Sequence, residues 1–246
     1  MQTGTPETRT IRRNGDNLLQ RLSAFRLPRE LLLMCGIASS VLYVAMNVLI
    51  PTQWESYDVA SQTISELSAV DAPTRPLWAA LGFVYSLLLT AFGWGVWKSA
   101  RASRSLRAVA VVLIIDGLLS FGWPPMHQRP VLAAGGGTLT DTMHIVWSVA
   151  TVALMMLAIG FGTAAFGKKF RLYSLATLGI LLSFGTLTAM NASTVQANLP
   201  TPWLGVWERI CVFADMLWVG VLAIAVLRTT REDISRRNGH RQSAPA

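Results

Sequence analysis

Charge is what this sequence has least of. Asp, Glu, Lys and Arg make up 14% of its 246 residues, against about 25% in an ordinary soluble domain. Hydrophobic residues make up 52%, and the mean hydropathy is +0.43. That balance excludes a cytosolic enzyme, a nucleic-acid-binding module and a disordered tail protein. Cysteine is nearly absent too. Cys35 and Cys211 each fall inside an apolar run, so neither a disulfide framework nor a CxxC metal or redox motif is available. Histidine occurs three times, which leaves few residues for metal or haem chemistry.

What is present is a series of long apolar runs. Crossing a hydrocarbon core of about 30 Å takes roughly 20 helical residues, with a working range of about 17 to 25. Six runs qualify: 31–50, 77–97, 108–123, 143–167, 172–191 and 210–227. Lipid offers the backbone no hydrogen-bond partners, and runs this long and uniformly apolar do not read as barrel strands, so each is expected to be a helix. The expected fold is all-α: a polytopic integral membrane protein built as a six-helix transmembrane bundle over residues 30–228. A basic N-terminal segment, 1–29, precedes it and a tail, 229–246, follows.

The formal net charge of +8 is a topology signal. Eighteen of the 21 Lys and Arg lie in residues 1–29, the 98–107 and 168–171 connections, and residues 228–246. Only Arg75, Arg129 and Arg209 lie in the other three connections. The positive-inside rule therefore expects both termini in the cytoplasm and the chain in the plasma (inner) membrane. Trp54, Trp78, Trp123, Trp203 and Trp207 fall near the expected outer ends, as an aromatic belt would. Residues 1–29 are polar and Arg-rich, unlike a cleaved signal peptide. Leu18, Leu22 and Phe25 share one helical face, which fits an amphipathic helix on the inner leaflet, and a disordered basic tail is the alternative. The tail reads as disordered.

The polar residues concentrate toward the expected outer side. Asp116 in the third run and Asp215 in the sixth lie about 10 Å below the outer surface at ~1.5 Å per residue. Asn47, His144 and Asn191 stand at outer helix ends. An ionisable residue at depth tends to face a bundle interior or a water-filled cavity, so an outward-facing polar pocket is expected. The competing reading is structural, with Asp116 and Asp215 pairing with Arg129 or Arg209 to hold helices together. The first outer connection, 51–76, carries Glu55, Asp58, Glu66 and Asp71 against Arg75. In it Ala60, Ile64 and Leu67 are spaced as one face of a short helix that could lie over the bundle mouth. The Gly135–Gly137 run lacks the strand, helix and Lys of a phosphate cradle and reads as hinge material.

His127, Asp141 and His144 are the only cluster with metal-ligand chemistry. Asp141 and His144 are i and i+3 on one face and His127 enters from the loop, which would leave a divalent metal an open position. Against it, an Asp at a helix N-terminus is commonly a cap. A haem is disfavoured, because only His144 is near a helix.

The segments YDVASQTISELSAVDAP, WPPMHQRPVLAAGGGTLTDTMHIVW and GVWERICVFADMLWVGVLAIAVLR resemble the membrane-protein family known as domain of unknown function 998, over roughly 31–228. The resemblance implies a six-helix membrane protein whose shared polar positions would be Ser65 and Glu66, His144, and Glu208 with Arg209. It implies no activity. Trp123 and His127 stand where that family leads one to expect Phe and often Asp. With the resemblance, the pocket candidates are Glu66, Asp116, His144, Glu208, Arg209 and Asp215. Three functions fit. The first is binding of a small polar ligand, ion or lipid headgroup in the outer pocket. The second is a structural or accessory membrane subunit. The third is an intramembrane, metal-dependent or metal-free lipid hydrolase or transferase using His144 with Asp116 or Asp141. Membrane lipids are the expected partners in each, and nucleic acid is not.

Overall fold

The computed structural model describes residues 28–242, with side chains to Glu232. The amphipathic reading of Leu18, Leu22 and Phe25 lies outside the described residues. Six long helices form the bundle: α1 (Arg29–Leu49), α2 (Arg75–Ser99), α3 (Arg104–Ser120), α5 (Leu139–Gly162), α6 (Lys168–Met190) and α8 (Leu204–Gln242). Two short ones, α4 (Arg129–Ala133) and α7 (Ala192–Gln196), and two 3-10 turns, Pro51–Gln53 and Ile64–Ser68, lie in the connections. No strand occurs among the described residues.

Five of the long helices are long and apolar enough to cross a membrane. The remaining one, α3, has 17 residues, at the short end of what about 30 Å of hydrocarbon requires. Its start is set by Ser103, whose Oγ accepts from the Leu106 amide at 3.3 Å. It therefore begins four residues before the apolar run and stops three short of Trp123. Similarly α5 starts at Leu139 because Thr138 and Asp141 form a reciprocal capping box, the Thr138 amide donating to Asp141 Oδ2 at 2.7 Å. It ends at Gly162, so 163–167 is a turn and not the end of a span. The last helix departs furthest from the apolar pattern. It begins at Leu204 and continues to Gln242 through the segment that composition reads as irregular. Arg and Glu are good helix formers, so a helix already nucleated by the bundle can propagate through them.

The helices close into a ring. α1 packs on α2 and α8, α2 on α3, α3 on α5, and α6 on α8, while a sparser seam between α5 and α6 completes the circuit. Between lipid-facing helices the hydrophobic effect supplies little, and close van der Waals packing of small residues holds the seams. Gly36 faces the Phe92 ring, Gly162 faces the Trp218 indole, and Gly93 and Gly117 let α2 and α3 touch backbone to backbone. Trp218, fully buried, also donates from Nε1 to Ser174 Oγ at 2.9 Å and ties α8 to α6. Val41, Val48, Phe83, Leu118, Leu172 and Leu182 are exposed, as a lipid-facing surface requires.

A Cβ added at Gly117 would lie 2.8 Å from the Thr90 backbone nitrogen, whereas one added at Gly179 meets nothing within 4 Å. Gly117→Ala is expected to destabilise the bundle by about 1–3 kcal/mol, and Gly179→Ala to be neutral or slightly stabilising. Unfolding of both variants in detergent checks the pair.

Candidate functional site

The polar residues gather in three places. The first is a cap at the end of the bundle where the 50–74, 121–138 and 191–203 connections meet. The 3-10 turn Ile64–Ser68 is opened by a capping box. Glu66 Oε2 accepts from the Thr63 amide at 2.7 Å and from Thr63 Oγ1 at 3.0 Å. The neighbouring Ile64 amide donates to Glu208 Oε2 at 2.6 Å, so a carboxylate on α8 satisfies a second orphan donor of the same turn. Glu66 is 2% exposed, and a buried carboxylate needs a matching charge. Arg129, at the start of α4, supplies it. Its Nε and one terminal nitrogen reach the two Glu66 oxygens at 2.8 Å each, a bidentate pair. The other terminal nitrogen donates to Thr201 Oγ1 at 2.7 Å.

Arg209 completes the cap. It donates to the carbonyls of Val59 and Gly205 at 2.8 and 3.0 Å, and to the Tyr57 hydroxyl at 2.7 Å. That hydroxyl donates onward to the Thr63 carbonyl at 2.7 Å, and burial pushes the Tyr57 phenol up. Arg129 and Arg209 are thus spent on the cap, and the pairing of either with Asp116 or Asp215 that the sequence allowed does not occur. Ile64 and Leu67 are buried as their spacing predicts, in a 3-10 turn and not a longer helix, and Ala60 is half-buried.

The second place is the 121–128 connection and the start of α5. Asp141 accepts from the His127 amide at 2.6 Å and from its Nδ1 at 2.9 Å, in addition to capping Thr138. His144 donates from Nδ1 to the Pro124 carbonyl at 2.8 Å, with its ring edge-on to Trp123. The structure therefore joins His127 to Asp141 but gives His144 a separate partner. Among the described residues no group of three His, Cys, Asp or Glu side chains is placed to hold a metal ion. Asn47 donates to the Tyr43 carbonyl at 3.0 Å and is buried, while Asn191 turns back onto the Leu187 carbonyl at 2.9 Å.

The third place is inside the ring. Asp116 of α3 and Asp215 of α8 both line a cavity of about 10 Å³, room for one water molecule. Its other walls are Tyr85 and Leu89 of α2, Val112 and Leu113 of α3, Leu154, Met155 and Ala158 of α5, and Val219 of α8. Asp116 is 6% exposed and Asp215 4%, no basic side chain among the described residues lines the cavity, and Asp116 Oδ1 has no hydrogen-bond partner. The six pocket candidates therefore do not share one cavity. Glu66, Glu208 and Arg209 hold the cap, His144 braces a loop, and only Asp116 and Asp215 meet across the bundle. Tyr85, Tyr57 and Thr201 are members of these clusters that sequence reading passed over, and Arg129 was weighed only as a partner for Asp116 or Asp215 and not for Glu66. The one available signal was that Arg129 is among three basic residues on an otherwise acidic side. A larger groove of about 230 Å³ between α1 and α2 is lined by Leu42, Ala45, Met46, Leu49, Ile50, Leu77 and Leu81, with Gln53 its only polar wall, and offers nothing to a polar ligand.

The sequence profile of the family described as "Protein of unknown function (DUF998)" matches residues 37–225. Comparison with curated proteins and with solved structures returns no match.

Removing one partner of a buried ion pair costs about 3–5 kcal/mol because the other charge is stranded. Arg129→Gln is expected to destabilise the protein by that order, and the double change Arg129→Gln with Glu66→Gln to recover much of it. A double-mutant cycle on unfolding in detergent reads the coupling.

Proposed function

The chain belongs to the DUF998 family, and we propose that it is a six-span plasma (inner) membrane protein, both termini cytoplasmic, that binds a small polar ligand between Asp116 and Asp215. The observation that carries the reading is that two carboxyl side chains from different helices face one water-sized cavity with no basic residue on its walls among the described residues. A buried carboxyl is costly in a bilayer and tends to mark a ligand or proton site. Seventeen residues of α3 count as the sixth crossing because the flanking Phe121 to Trp123 extend its apolar length. The orientation rests on the basic residues at the end of the bundle opposite the cap, and it makes the cap the non-cytoplasmic face. A structural role is the second reading, and it is favoured for Glu66, Glu208, Arg129 and Arg209, whose charged groups are engaged within the cap.

Two measurements test this. In a background with Cys35→Ala and Cys211→Ala, a membrane-impermeant maleimide added outside is expected to label Ser56→Cys and to leave Ala102→Cys unlabelled, both positions being exposed. The reverse pattern overturns the orientation. In the same background Ag⁺, small enough for the cavity, is expected to react with Asp116→Cys from outside and to block later maleimide labelling of the unfolded chain. Full protection from external Ag⁺ overturns access from that side.

A further inference from the structure

We propose that the Asp116 and Asp215 carboxyls form a cation site that takes one sodium-sized monovalent ion in exchange for a proton. The inference rests on the cavity reading above and names its ligand. The physical argument is neutrality. In a low-dielectric interior a bare negative charge costs far more than it gains, so the site is held neutral by whatever positive charge it can recruit. The described neighbours provide none. The walls contributed by α5 are Leu154, Met155 and Ala158, those of α3 beside Asp116 are Val112 and Leu113, and the polar wall of α2 is Tyr85. The other titratable groups within electrostatic reach of the two carboxyls are Tyr43 of α1, Tyr173 of α6 and Cys211 of α8, each uncharged in its ordinary form near neutral pH. The basic side chain closest along α8, Arg209, directs both terminal nitrogens into the cap, at Val59, Gly205 and Tyr57, while its Nε is buried without a hydrogen-bond partner.

Two neutral states satisfy the site. Either both groups are carboxylic acids, or one is a carboxylate bound to a monovalent cation while the other remains an acid. Interconversion is a balanced exchange: the cation enters, the O–H bond of one carboxylic acid breaks, and the proton leaves to water. A divalent ion would require both groups to ionise and a fuller set of oxygen ligands than two carboxyls and one phenol supply. Size points the same way. The cavity admits one water molecule, and a sodium ion is no larger. Asp116 Oδ1, buried and without a hydrogen-bond partner, is the oxygen left for the ion.

Proton release is the direct readout. Purified full-length protein in lipid nanodiscs, weakly buffered with a pH indicator, is expected to release about one proton per chain on addition of NaCl and none with choline chloride. Asp116→Asn and Asp215→Asn, neutral and close in shape, are each expected to abolish the release. A second measurement needs no variant. Dicyclohexylcarbodiimide, which modifies protonated carboxyls in apolar surroundings, is expected to label Asp116 or Asp215, with Na⁺ and not choline protecting. Absence of proton release, equal release with choline, or carbodiimide labelling indifferent to Na⁺ overturns the proposal. The Ag⁺ experiment reads access to position 116 independently of any proton count. Success there with no sodium response removes the cation and leaves the cavity reading standing, whereas the opposite result removes only the outer access route.

Discussion

The bidentate pair between Arg129 and Glu66 is the interaction on which the capped end of the molecule depends. Each group is buried, so each would be a heavy liability alone, and together with Thr63 and Thr201 they form a set in which the charges match. The pair has topological reach as well. Glu66 belongs to the α1–α2 connection, Arg129 to the α3–α5 connection and Thr201 to the segment leading into α8, so one guanidinium gathers three loops. Arg209 then fastens the first of those loops to α8 through the carbonyls of Val59 and Gln62. The 51–74 segment is consequently a bound cap with hydrogen bonds at both ends and not a free connector.

Below the cap a different physics operates. The seams between helices rest on shape: glycines admit the rings of Phe92 and Trp218, and serines and threonines return their hydroxyls to the preceding turn, as Ser40 does to the Gly36 carbonyl and Thr90 to that of Ser86. Against this background of short-range hydroxyl bonds the Asp116 and Asp215 pair stands apart as two buried acids on facing helices. The cap uses its charges in matched sets, whereas the cavity inside the bundle is lined, among the described residues, by two acids and no basic side chain. That contrast separates residues that stabilise the fold from residues that have no evident role in it.

Much of this was legible in the order of residues. The apolar runs located all six long helices, because backbone satisfaction in lipid leaves few alternatives to a helix. Asp141 was legible as a capping residue, although it caps from inside the first turn as the partner of Thr138, so that α5 starts at Leu139 and not at Met143. The clustering of Asp116 with Asp215 was implied by their unusual depth. The helix ends were less legible. Hydropathy falls where side chains become polar, but α3 and α5 begin where a cap forms, and α8 continues past the last apolar residue because helix propagation tolerates Arg and Glu.

What the sequence by itself determined is therefore the class of architecture and the small set of costly residues, because both follow from the price of polar groups in hydrocarbon, which each residue carries wherever it goes. Which of those residues meet was decided only by the tertiary structure. Glu66 could have faced Arg75, and Asp215 could have faced Arg129. The ring order of the helices instead brings Arg129 to Glu66 across 63 residues of chain and sets Asp116 opposite Asp215. Partner choice depends on helix rotation and loop length, which act through the whole packed bundle and leave no mark at any single position.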